Sequence, residues 1–420
     1  MGLFAILIFK ICFVVKKGNF EIDSIVGDAL TYHNFAINLL ENPITYWDFW
    51  GHYRPPGYPF FLMIIYFFFG KDSIFSVYIF QSFLGLGISI LVYEISNKVF
   101  SKKIALFSFI FAGVYPFYLI YSVQLLRETL VFFLLLITFY FLLLLFGEMK
   151  KVKSIFKAKY FWIFTVSYSL LIHTDPRYLF FAPFLLGLYY FYLEKRDFIK
   201  NSFLTIALFI FTLIPWTIRN FYTYGGIVII NTRTIDFTGT EKEVNRLKLS
   251  NDKINGTLIN KKYPTQEERL LIKRGENPNN REEEEIKAIL EGKGATKSHF
   301  LKRIYNFVEL WRPVRLSSSY RPFNDCRFEK AWSIQHNLLS LFSYGLLLPF
   351  MFFGILKLYL DKNRWLLFLV FPIILQTLLH ILMWGKERYR IPIDSFIILF
   401  GVYGIIMAFD SFKTKVFQER

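Results

Sequence analysis

The stretch "HYRPPGYPFFLMIIYFFFG", residues 52–70, decides how this chain is laid through or along a bilayer. It is apolar enough to enter a membrane, yet Pro55 and Pro56 stand near its start and Pro59 follows closely. Its apolar core, Gly57 to Phe69, has 13 residues, about 20 Å as a helix against roughly 30 Å of hydrocarbon. A run of that length is more often interfacial or re-entrant than spanning. Pro55 and Pro56 fix an extended approach, and Pro59 fits the first turn of a short helix. Arg54 and Lys71 flank the run and can reach headgroups. The expectation is that the stretch does not cross, so that residues 16–56, Asp28 among them, share a side with arginines far downstream.

The rest of the chain is written in the same apolar language. Of 420 residues 54% are hydrophobic and 20% aromatic, with 52 Phe and 26 Tyr, and they come in long runs. This composition defines a polytopic membrane protein. Runs long enough to cross lie near residues 74–95, 104–121, 129–146, 160–173, 178–193, 202–218, 338–358, 365–384 and 391–409, with a marginal run at 1–15. The net charge of +17 does not point to nucleic acid, because the basic residues sit in short Lys clusters between apolar runs. "NKVFSKK", "KKVKSIFKAK", "EKRDFIK", "LDKNRW" and the tail "SFKTKVFQER" fall on alternate connections, the pattern of cytoplasmic loops. The other connections hold "LLRET", "HTDPRY", "WTIRNF", a mostly polar segment from Arg219 to about Asn337, and "WGKERYRIP". Within the polar segment "REEEEIKAILEG" reads as a soluble helix. Cys12 and Cys326 make no disulfide framework. The first fifteen residues lack a basic leader and a small-residue cleavage site, so no removed signal peptide is expected.

The residues able to do chemistry gather on the side opposite the lysines. From Asp28, positions 28, 32, 35/36 and 39/40 share one helix face, which places Tyr32 a turn beyond the carboxylate, with His33 beside it. Asp28 reads equally as an N-cap after Gly27, and one residue can serve both purposes. Glu128 opens the run "ETLVFF", and an acid at a membrane boundary is costly unless paired or functional; Arg127 offers a boundary ion pair as the plain explanation. "HTDPRY" sets His173, Asp175 and Arg177 at a span end, where Asp175 could simply neutralise Arg177. "GKERYRIP" packs Lys386, Arg388 and Arg390 just above a span, for which snorkelling is the ordinary explanation. Several separate Arg motifs, Arg219 included, around an acidic loop are harder to dismiss. Guanidinium groups suit a two-pronged grip on phosphate oxygens, and at a membrane the obvious anion is a lipid phosphate. Phosphate loops, nucleophile elbows, HExxH and CxxC patterns and dinucleotide fingerprints are all missing from the sequence, and its six histidines form no zinc pattern.

The ordered motifs "GDALTYHNFAINLLE…HYRPPGYPFFL", "YPFYLIYSVQLLRETL", "HTDPRYLFFAPFLL", "PWTIRNFYTYGG" and "ERYRIPIDSF" resemble the GT-C class of integral membrane glycosyltransferases. The branch they are most similar to holds bacterial relatives of protein O-mannosyltransferases and of lipid A aminoarabinose transferases. The apolar runs and alternating Lys loops predict an all-α polytopic protein of about ten transmembrane helices with both termini cytoplasmic and a mixed soluble insert, and the resemblance agrees, implying juxtamembrane helices in the first outer loop. It divides the chain into an N-terminal transmembrane module (1–218) with a catalytic first outer loop (16–73), an extracytoplasmic insert (219–337) and C-terminal helices (338–420). It implies an essential acid at Asp28, although many members carry two acids where this chain has Gly27-Asp28. It further implies a second acid at Glu128, a basic residue before the "PP" helix at Arg54, and an "RY" pair at Arg388 and Tyr389. The implied reaction is inverting transfer of a sugar from a polyprenyl-phosphate lipid to a lipid, glycan or protein acceptor, on the extracytoplasmic face of the cytoplasmic (inner) membrane. Asp28 would deprotonate or orient the nucleophile; Arg54, Arg177, Arg388, Tyr389 and Arg390 would hold the phosphate; Tyr32, His33 and Arg219 would line the pocket. A divalent metal between Asp28 and Glu128 is possible, and no other cofactor is expected. An envelope polysaccharide polymerase or ligase would need no acid before an interfacial "PP" helix. A transporter would show paired repeats and polar sites at mid-membrane, whereas the charges here gather at span ends.

Overall fold

The computed structural model describes residues 2–21, 25, 27–41, 54–148, 155–192, 195–224, 227–231, 299–314, 334–382 and 387–418. Helices stand at every one of the apolar runs, and among the described residues there is no strand. In chain order they are α1 (Gly2–Lys17), α2 (Asp28–Glu41), α3 (Gly57–Phe69), α4 (Ile74–Val99), α5 (Lys102–Val114), α6 (Pro116–Ser122), α7 (Glu128–Glu148) and α8 (Lys159–Thr174). Then follow α9 (Ala182–Tyr192), α10 (Lys195–Tyr224), α11 (His299–Trp311), α12 (Ile334–Ser340), α13 (Leu346–Leu360), α14 (Leu366–Leu382) and α15 (Asp394–Gln418). Five of the helical stretches are long and apolar enough to cross a membrane singly, and α5 with α6 makes a sixth bent by 44°. The bend falls where Pro116 starts α6 one residue after Tyr115, because proline removes a backbone donor and resets the chain direction.

Two glycines set how closely α13 and α15 pack. A Cβ on Gly354 of α13 would stand 2.4 Å from the Phe400 carbonyl oxygen of α15, and one on Gly404 would stand 2.0 Å from that of Phe350. Two backbones therefore touch at this crossing, as small residues permit between membrane helices. The first half of α15 is buried, Asp394 to Gly404 without a break. Its first residue, Asp394, follows directly on the loop that carries Arg388 and Tyr389.

The opening stretch folds as the 13-residue helix α3 and then stops. Gly70 takes φ +95° and Asp72 φ +71°, a reversal that feeds the chain straight into α4. α2 and α3 run side by side in the same sense: Arg54 meets Asp28 at one end, and Lys71 meets Glu41 at 2.6 Å at the other. His33 joins them near the turn, with Nδ1 2.9 Å from the Tyr66 hydroxyl and Nε2 3.0 Å from Asp72. Inward, Tyr58 donates to Gln81 of α4 at 2.9 Å; outward, Ile64, Phe67, Phe68 and Phe69 are exposed. Both faces of this helix are thus apolar, the inner one carrying the two tyrosine hydroxyls. Of the expected insert, α10 continues to Tyr224, beyond the 218 boundary, and α11 packs on α14. "REEEEIKAILEG", Cys326 and Lys386 lie outside the described residues.

Candidate active site

Four connections meet in one cluster of charge. Asp28 opens α2 after Gly27, whose φ of +62° is the left-handed conformation that glycine tolerates best. Its carboxylate takes Arg54 Nη2 at 2.5 Å on Oδ1 and Arg388 Nη1 at 3.6 Å on Oδ2, with the side chain 30% exposed. The Arg54 guanidinium also lies 5.2 Å from the Tyr32 ring centre. Arg388 donates to the hydroxyl of its neighbour Tyr389 at 3.0 Å. The Tyr389 ring carries the guanidiniums of Arg177 at 4.3 Å and Arg388 at 4.9 Å, and stacks on His380 at 4.7 Å.

Asp175 is the second hub. Buried at 1% exposure, it grips Arg177 through both oxygens, with Nε at 2.8 Å and Nη2 on Oδ2, and accepts the Arg177 backbone N–H. Arg127 reaches the same Oδ2 at 3.4 Å and donates to the Thr174 carbonyl at 3.2 Å. Arg127 therefore pairs with Asp175 rather than with its neighbour Glu128. Glu128, the first residue of α7, is buried with Oε2 making no hydrogen bond.

The electrostatics follow from this packing. Burial pushes the Asp28 carboxyl up, but Arg54 and Arg388 outweigh it and hold its pKa down at about 2. Burial likewise raises Asp175, and Arg127 with Arg177 draws it below the usual carboxylate range. For Tyr389 burial raises the phenol while Arg388, Arg177 and Arg127 lower it, with a net downward shift. The site is a row of guanidiniums held in place by two acids and a tyrosine, ready for an anion.

Some expected site residues are elsewhere. Arg390 is wholly buried, pairs with Asp394 at 3.0 Å and lies 3.3 Å from the Tyr344 ring centre. It is an anchor of the loop, tied across the turn 391–393 to Asp394, the first residue of α15. His33 points to Tyr66 and Asp72, and Arg219 covers Trp216 at 4.9 Å and donates to Asn220 at 3.2 Å. His173 bonds its own helix through the Ser169 carbonyl. For the metal expected at Asp28 and Glu128, no group of three His, Cys, Asp or Glu suited to an ion occurs among the described residues. The described partners of the Asp28 carboxylate are Arg54 and Arg388. Sequence reading undervalued Asp175 and Arg127, each of which had a plain local explanation; the proximity of "LLRET" and "HTDPRY" at one membrane face was the available signal.

This bundle, with its α2–α3 pair and its charged cluster, has the fold of the GT-C glycosyltransferases. Residues 53–219 match the family model described as dolichyl-phosphate-mannose-protein mannosyltransferase, a segment holding Arg54, Arg127, Glu128, Asp175 and Arg177. The structure is similar to the oligosaccharyltransferase AglB of Archaeoglobus fulgidus in complex with an inhibitory peptide and a dolichol-phosphate (15% identity, TM-score 0.56, 99% of this chain and 51% of that one). It is also similar to the apo form of the oligosaccharyltransferase of that organism (14% identity, TM-score 0.57, 99% and 52%). A third similar structure has that oligosaccharyltransferase tethered to an acceptor peptide (13% identity, TM-score 0.58, 97% and 50%). The chain thus spans about half the length of the solved structures it matches. No curated protein matches it in sequence.

Proposed function

We propose that this protein is a membrane glycosyltransferase that moves a sugar from a polyprenyl-phosphate lipid to an acceptor at the extracytoplasmic face of the cytoplasmic membrane, with inversion. The observation that carries the reading is the convergence of Arg54, Arg127, Arg177 and Arg388 on Asp28, Asp175 and Tyr389. The family description for residues 53–219 names a dolichyl-phosphate-mannose donor, and one similar structure holds a dolichol-phosphate; both support a lipid phosphate.

In the proposed step the acceptor oxygen attacks the anomeric carbon, the bond from that carbon to the phosphate oxygen breaks, and the acceptor proton leaves to a carboxylate. Phosphate is a good leaving group, so the protein need only steady its charge, and Arg54 with Arg388 does so by charge-assisted hydrogen bonds. Held by two arginines, Asp28 is a weak base. A donor phosphate drawing those guanidiniums to itself relieves the restraint and leaves Asp28 to orient the acceptor hydroxyl and take its proton. Glu128, with an unbonded Oε2, stands second in line for that proton.

Purified protein in nanodiscs, supplied with short-chain polyprenyl-phosphate sugars and a panel of acceptors, tests the reading. Sugar transfer that fails in both Asp28→Asn and Glu128→Gln supports it. Transfer only from diphosphate-linked chains would favour a polymerase or ligase. Lipid or solute movement without transfer would favour a transporter.

A further inference from the structure

We infer that α11 is a second interfacial helix, its outer face in the acyl chains of the bilayer and its inner face bracing the loop that carries Arg388 and Tyr389. The helix has 13 residues, too short to cross. It is seated on α14 through polar groups: Arg303 and Asn306 donate to the Ile381 carbonyl at 3.1 and 3.0 Å, and Trp311 Nε1 donates to Thr377 at 3.2 Å. Residue 303 therefore sits at the end of α14 and residue 311 about one turn deeper, so α11 descends at a shallow angle.

What this seating leaves outside is apolar. Ile304, Phe307 and Val308, three or four residues apart and so on one helix face, are 45–48% exposed. Immediately beside the α11 seat, α14 exposes Ile374, Leu378 and Leu382, each one turn from the next. The apolar face of α11 is thus continuous with the stripe that α14, in a membrane bundle, turns to lipid. A hydrophobic patch next to a membrane-facing helix, edged by an indole and a guanidinium, has the make-up of a helix lying at the interface. The bilayer is the occupant this continuity selects.

The inner face reaches the site. The Leu310 carbonyl accepts Arg390 Nη1 at 3.5 Å, the Trp311 carbonyl accepts the Tyr344 hydroxyl at 3.1 Å, and Arg312 bridges Glu309 at 2.7 Å and Glu387 at 3.9 Å. The depth at which α11 rests in the lipid is thereby tied to the loop 387–390. This inference is independent of the reaction proposed above, since it concerns placement alone.

Depth-resolved spin labelling tests it. Cys12 and Cys326 are replaced by Ser, and nitroxides are attached to Phe307→Cys or Val308→Cys in nanodiscs of phosphatidylethanolamine and phosphatidylglycerol. Leu378→Cys serves as the acyl-chain control and Lys71→Cys as the water control. Both α11 labels should meet oxygen freely and be shielded from a water-soluble nickel chelate, with an oxygen-to-nickel ratio several-fold above the Lys71 label and near that of Leu378. Nickel access equal to the Lys71 label overturns the inference, because the face is then wet. Shielding from both reagents overturns it as well, since protein then covers the face, whether another part of this chain or a second copy. Two labelled positions guard against one that disturbs the helix.

Discussion

At the scale of single residues the charged cluster separates groups that bind from groups that build. Asp28→Asn keeps the size of the side chain and removes its charge, so the fold should persist while transfer falls by about 10² to 10⁴, the usual cost of losing a general base. A stable Asp28→Asn protein with wild-type turnover would move the proton-accepting role to Glu128. The same carboxylate predicts a pH signature. Its folded pKa of about 2 lies below the ordinary value near 3.9, so its stabilising contribution is complete above about pH 4 and fades as pH falls toward about 2. The gap in melting temperature between wild type and Asp28→Asn should accordingly be flat above about pH 4 and shrink below it. Arg388 and Arg390 should part company. Arg388→Ala should raise the donor KM about ten- to a hundredfold, the loss of one charge-assisted contact, with little change in melting temperature. Arg390→Ala strands Asp394 in the core and should cost about 3–5 kcal/mol of stability, with Lys a poor substitute because Arg390 also packs on Tyr344. Unchanged thermal stability of Arg390→Ala would overturn the anchor reading. In the sequence these two arginines look alike; only the start of α15 at Asp394 turns one inward. Asp28, Arg54 and the Arg388–Tyr389 pair, which the family resemblance had singled out, stand together in the structure, although the residues alone left Asp28 equally readable as a cap. Asp175 was not, because its partner Arg127 lies 48 positions away, and its local partner Arg177 gave a sufficient explanation.

At the scale of elements the 13-residue run folds as the apolar pattern reads: helix α3 begins at Gly57 and ends at Phe69. What the pattern could not show is why Gly57 is a glycine. A Cβ there would lie 2.4 Å from Thr174 Oγ1, 2.7 Å from Thr174 N and 2.8 Å from its Cα, at the end of α8. α3 therefore starts in contact with the backbone that leads to Asp175, three residues after Arg54. Gly57→Ala should force α3 off α8, at about 1–3 kcal/mol, and swing Arg54 away from Asp28. Both a lower melting temperature and a weaker donor KM are expected. Shortening Thr174 to Ser or Ala should not restore either, because two of the three obstructing atoms are backbone. Full donor affinity in Gly57→Ala would show that Arg54 is positioned independently of this contact.

At the scale of the whole molecule the sequence carried its sidedness twice, in the lysines and in the arginines, and the fold ties the two together. Asp28, Arg54, Arg127, Arg177 and Arg388 come from four separate connections and touch one another directly or through Asp175 and Tyr389, so those connections occupy one membrane face. Lys-rich loops fall between them along the chain, where the positive-inside rule expects the other face. The bent α5–α6 pair and the short helices α1, α8, α9 and α14 were legible as apolar runs, whereas the bend at Pro116 was not read from them. The prediction is that the turn after α3 and the turn before α5 lie on opposite sides. Lys71 and Lys103 are both well exposed, at 53% and 62%, and only the 26-residue α4 and short turns separate them. With Cys12 and Cys326 replaced by Ser, a membrane-impermeant maleimide applied to intact cells or right-side-out vesicles should modify Lys71→Cys and spare Lys103→Cys; permeabilisation should expose the second. Under the positive-inside rule Lys103 is cytoplasmic, so the reverse pattern would place the cluster on the cytoplasmic face. Labelling of both from one side would mean that α4 does not span and that α3 has taken its place.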